Sequence, residues 1–124
     1  MRFARGICLI TDDVCRLAEF YRDILQTEAD INDIHVNIAV TGGGLTIYSK
    51  SAAESDMGFE FRACHGAGMA KFSFVVDDVD AEYARLAALD ADIEFLAVPT
   101  TYPWGARSMH FQDPDGHIVC FVNG

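Results

Sequence analysis

The chain has 124 residues, the size of one domain, and 51% of them are hydrophobic, which excludes a disordered chain and provides for a core without staples. A formal net charge of -10 and a pI of about 4.5 exclude phosphate backbones, hence nucleic acid, as partners. The same acidic surface would attract small cations, or would serve only to keep the protein soluble.

In chain order, Met1 to Arg5 leads straight into a short apolar run, Gly6 to Ile10, without the long hydrophobic stretch of a signal peptide. That run reads as a strand ended by Thr11-Asp12-Asp13, and either aspartate can cap a helix. Val14, Leu17, Ala18, Tyr21, Ile24 and Leu25 recur at helical spacing, so a helix is expected over 14–26. Residues 34–40 alternate, with Ile34, Val36, Ile38 and Val40 apolar, as in a strand with one buried face. Thr41-Gly42-Gly43-Gly44 reads as a hairpin turn whose glycines supply positive φ, and Leu45 to Tyr48 as the returning strand. Residues 50–56 read as loop, and 57–62 as another strand around Phe59 and Phe61. His65-Gly66-Ala67-Gly68 reads as a linker inside a single domain, between modules of about 1–64 and 69–124.

The order then recurs. Residues 71–76 form an apolar strand, Asp77-Asp78 a cap, and Val79, Tyr83, Leu86 and Leu89 one helix face. Strands are expected at 93–98, 106–112 and 117–122, with a loop at 99–103 and an Asp113-Pro114-Asp115-Gly116 turn. Asp12-Asp13-Val14 and Asp77-Asp78-Val79 lie 65 residues apart, each between a strand and a helix. The chain therefore reads as two βαβββ units, an α+β fold.

Cys8, Cys15, Cys64 and Cys120 match neither a Cys-x-x-Cys motif nor a zinc spacing, so they read as reduced thiols in a cytoplasmic protein. No apolar run is long enough for a membrane span.

Three segments carry a resemblance. Phe20-Tyr21-Arg22-Asp23-Ile24-Leu25, Val75-Val76-Asp77-Asp78-Val79-Asp80, and Trp104-Gly105-Ala106-Arg107 followed by Asp113-Pro114-Asp115-Gly116 are similar to the vicinal oxygen chelate superfamily. That group holds glyoxalase I, the bleomycin resistance proteins and extradiol dioxygenases. The resemblance implies a mixed sheet curled around a cavity and a homodimer. It also implies divalent-metal donors at four places. Counting back from the cap aspartates lands on Gly6 and Lys71; the strand after the first hairpin is Leu45 to Ser49; four residues past Asp-Pro-Asp-Gly is Cys120. None of these offers the usual His, Glu or Gln, so no metal or other cofactor is expected.

The histidines are His35, His65, His110 and His117, and only His35 and His110 have the strand parity to face a cavity. Parity also groups Gly6, Cys8 and Ile10; Lys71, Ser73 and Val75; and Ile118, Cys120 and Val122, with Thr46 and Tyr48 joining them. The aromatic candidates are Tyr102, Trp104 and either Phe59 or Phe61, a wall suited to planar or cationic ligands, although Trp104 is equally readable as a structural plug. Arg107 reads as the partner of a carboxylate, Asp113 or Glu60, or of an anionic ligand. Lys71 either snorkels to an edge or enters the pocket, where with Cys120 it would make a metal-free catalytic pair. The expected function is therefore metal-independent binding of a cationic or aromatic small molecule, as in the bleomycin resistance proteins. The alternative is a lyase or related enzyme acting through Lys71 and Cys120 or through a metal held elsewhere. The expected ligand-binding residues are Tyr48, Phe59, Lys71, Tyr102, Trp104, Arg107 and Cys120.

Overall fold

A computed structural model describes residues 2, 4–64, 66, 68–89 and 93–124. His65, in the expected linker, lies outside them. The fold is α+β, with two mixed sheets in two compact units, Met1–Ala67 and Gly68–Gly124.

The first unit runs β1 (Gly6–Thr11), α1 (Val14–Leu25), β2 (His35–Ile38), β3 (Gly44–Ser49), α2 (Lys50–Met57) and α3 (Phe61–Cys64). Its sheet has the order β1-β3-β2, parallel between β1 and β3 and antiparallel between β3 and β2. The Asp13 carboxylate caps α1 by accepting from the Arg16 N–H at 3.2 Å. The apolar stripe of α1 buries Val14, Leu17, Ala18, Tyr21 and Ile24 as its spacing predicts, whereas Leu25 is only half-buried and Phe20 is buried in addition. That stripe shares the core with Leu9, Val36, Ile38, Leu45 and Ile47, so one face of the sheet is committed to packing.

Two expectations fail in this unit. The expected loop at 50–56 is α2, capped by the Ser49 hydroxyl, which accepts from the Ala52 N–H at 3.3 Å. The expected strand at 57–62 does not form. Gly58 ends α2 at φ +79°, and the Glu54 carboxylate then accepts from the Phe61 N–H at 2.9 Å, which turns the chain into α3. Phe59 and Phe61 therefore pack against each other at 4.8 Å near helix ends and do not alternate on a strand. In the hairpin only Gly42 has positive φ, because Gly44 already belongs to β3.

The second unit runs β4 (Lys71–Val76), α4 (Val79–Ala88), β5 (Glu94–Thr101), β6 (Arg107–Gln112) and β7 (Ile118–Asn123). The order is β4-β7-β6-β5, with β4 parallel to β7 and the other pairs antiparallel. Asp78 caps α4 as Asp13 caps α1, accepting from the Ala81 N–H at 3.1 Å. A relay of edge-to-face rings crosses the packed side of the sheet from Phe74 to Phe121, Phe111 and Phe95, ending on Tyr83 of α4. The expected loop at 99–103 is shorter: β5 continues through Pro99 to Thr101, as an edge strand with register shifts tolerates.

Candidate functional site

Both sheets pack one face on a helix and turn the other away from it, and register fixes what stands on that second face. In the first unit it carries rows of paired residues: Gly6 and Gly44; Cys8, Thr46 and Asn37; Ile10, Tyr48 and His35. The Tyr48 hydroxyl donates to the Asp56 carboxylate of α2, and the His35 ring meets the Tyr48 ring edge-on at 5.0 Å. The bond to Asp56, then burial, raises the Tyr48 phenol above its ordinary value.

In the second unit the rows cross four strands: Lys71, Ile118, Gln112 and Glu94; Ser73, Cys120, His110 and Ala97; Val75, Val122, Ser108 and Thr100. Lys71 reaches diagonally across β7, and its Nζ lies 2.9 Å from His110 Nε2. An ammonium has only donors, so Nε2 accepts and the His110 proton sits on Nδ1. Burial first, and the Lys71 charge second, hold the His110 imidazole below its ordinary value, which keeps it neutral. Cys120 is buried, at 3% exposure, and Lys71 turns to His110 rather than pairing with it.

The aromatic pair lies elsewhere in the same unit. Tyr102 and Trp104 stack at 5.1 Å with 7° between their planes. The β5–β6 turn fixes them: the Gly105 N–H donates to the Tyr102 carbonyl at 2.9 Å, and the Tyr102 N–H to the Ala106 carbonyl at 2.8 Å. Gly105 has φ +95°, as the bulge of such a turn requires. Trp104 is 76% exposed, so it is not a buried plug.

Arg107 is consumed structurally, by a partner that was not expected. It grips Asp80 through two N–H donors at 2.9 and 2.7 Å and donates to the Thr101 hydroxyl at 3.0 Å. This pair, rather than Asp113 or Glu60, occupies the guanidinium, and its hydrogen bonds pull the Asp80 carboxyl below its ordinary range. Asp113 instead organises its own turn, accepting from the backbone N–H of Asp115 and of His117, each at 2.9 Å, and from His117 Nδ1 at 2.7 Å. His117 is thus partly buried and paired rather than free.

The sequence model of the glyoxalase/bleomycin resistance protein/dioxygenase superfamily matches residues 5–121. The chain belongs to this superfamily. Solved structures place its fold there too. A superfamily enzyme from Burkholderia phytofirmans PsJN is 15% identical, with 98% of each chain covered and a TM-score of 0.81. A superfamily protein from Nocardioides is 23% identical over 99% of this chain and 83% of its own, at 0.78. A lactoylglutathione lyase from Agrobacterium tumefaciens is 25% identical over 97% and 92%, at 0.71. No curated protein sequence matches the chain.

Membership makes the metal positions worth testing against the geometry. A Cβ at Gly6 would lie 2.1 Å from the Gly44 carbonyl oxygen, so the first position has no room for any side chain. Tyr48 spends its hydroxyl on Asp56, Lys71 brings a positive charge, and Cys120 is a single buried thiol. Among the described residues no three His, Cys, Asp or Glu side chains gather as a metal site. The residues present at the superfamily's metal positions do not fit a dication.

Parity brought out His110, but its bond to Lys71 depends on register across β7 and has no sequence signal of its own. Asp56 was missed with α2, for which Ser49 followed by Ala52, Ala53 and Glu54 was the available signal.

Proposed function

We propose that this protein binds a planar aromatic small molecule without a metal, and that the Tyr102–Trp104 stack receives it. The exposed indole carries the reading: its inner face is already stacked and its turn is locked by two backbone hydrogen bonds, so a ligand meets a platform that needs no ordering. A net charge of -10 favours cationic aromatics, which an indole face also attracts. The unsuitable donors at the superfamily's metal positions support binding over metal-dependent turnover.

The test is a thermal-shift screen against bleomycin and simple aromatic cations, followed by Trp104 fluorescence. The reading predicts stabilisation together with quenching of the chain's single tryptophan, and loss of both in Trp104→Ala. Stabilisation that survives Trp104→Ala, or none with any aromatic, would refute it.

A further inference from the structure

The Lys71–His110 pair has no part in the aromatic platform. Lys71 is exposed at the start of edge strand β4, whereas Trp104 lies in the turn between β5 and β6 on the other side of the sheet. Lys71 forms no ion pair with any described carboxylate. The acid in its own row, Glu94, stands three strands away, roughly 14 Å at ordinary strand spacing. In a chain with 19 acids and 9 bases, an exposed ammonium anchored to a neutral imidazole instead of a carboxylate requires an explanation. One of its three N–H groups is spent on His110, and the other two have no partner among the described residues. Around it lie the Ser73 hydroxyl two residues along and the half-buried apolar side chains of Ile118 and Ala97.

We propose that Lys71, held in place by His110, is the anchor of a second binding site that takes the carboxylate of a small organic monoanion, whose apolar part lies on Ile118 and Ala97. His110 acts as a positioning residue: its lone pair fixes the ammonium over the sheet without neutralising it, so the full charge meets the ligand. A monoanion is selected because the acidic surface repels a more highly charged group more strongly. The apolar floor favours a carboxylate on a hydrocarbon body over a bare ion.

The probe is benzoate, with benzamide as its neutral isostere and inorganic phosphate as a multiply charged control. Binding is read from the chemical shifts of the Lys71 ammonium and the His110 ring. The wild-type chain should bind benzoate at least tenfold more tightly than benzamide, with phosphate weaker than benzoate. Lys71→Met should abolish the preference for benzoate, Lys71→Arg should keep most of it, and Trp104→Ala should leave it unchanged. Equal binding of benzoate and benzamide, or phosphate as tight as benzoate, overturns the proposal on the wild-type chain alone. So does a preference that persists in Lys71→Met. Quenching of Trp104 by aromatic cations is independent of all these results, so either site can fail while the other stands.

Discussion

Gly6→Ala probes the place where the fold and the superfamily's chemistry meet. Gly6 has φ +147°, in a region that L side chains rarely adopt, and holding alanine there costs about 1–3 kcal/mol. The added Cβ would sit 2.1 Å from the Gly44 carbonyl oxygen, whereas ordinary contact begins near 3.4 Å, so the backbones must part by more than 1 Å. That separation opens the first rung of the parallel β1–β3 ladder, and each hydrogen bond lost there costs about 1 kcal/mol. The total comes to about 2–4 kcal/mol, a large share of the usual stability of a domain. Urea unfolding followed by circular dichroism measures it, with Gly43→Ala as control because nothing lies within 4 Å of a Cβ there. A loss for Gly6→Ala below about 1 kcal/mol, or no greater than that of Gly43→Ala, would refute the reasoning. Gly6→His should be at least as damaging, and it should not create a metal site.

The remaining predictions concern the second unit. Asp113→Ala strips three hydrogen bonds from the turn before β7 and should cost about 2–3 kcal/mol in urea unfolding. The Asp113 hydrogen bond raises the His117 pKa above its ordinary 6.5, so its stabilisation is fully present below 6.5 and is lost as pH rises through the folded value. His117→Asn should therefore cost more at pH 5.5 than at pH 8.5, by under about 1 kcal/mol because the ring is only half buried. The sign reverses at His110, which burial lowers: its contribution is present above 6.5 and is lost as pH falls through the folded value. Stability profiles of His110→Asn and His117→Asn should thus diverge in opposite directions from the wild type. Asp80→Ala and Arg107→Ala should each lower Tm slightly, and the double variant no further than either alone, because both remove one bidentate pair.

Particular residues show what the sequence made legible. That an aspartate caps each helix was readable because a short acceptor before an apolar helical stripe has one common use, whereas the choice of Asp13 over Asp12 and of Asp78 over Asp77 came only with the backbone. The strand parities of Tyr48, Lys71, His110 and Cys120 were readable because the period of a strand is two. The segment after β3 was not. Phe59 and Phe61 mimic a strand's alternation, and only the backbone shows that Gly58 ends a helix between Ser49 and them. Pairings across the fold were also hidden. Arg107 had several carboxylates in reach of a plausible guess, and its choice of Asp80 depends on where α4 sits above β6. The Lys71–His110 bond needs the register of three strands at once.

Metal-free binding at the aromatic platform is the central claim, and one titration tests it most directly. Protein purified without a histidine tag is analysed for bound transition metals, and its affinity for the best aromatic cation is measured by Trp104 fluorescence with and without a strong chelator. The account predicts no stoichiometric metal and one affinity under both conditions. One tightly held metal per chain, with binding abolished by the chelator, would contradict it.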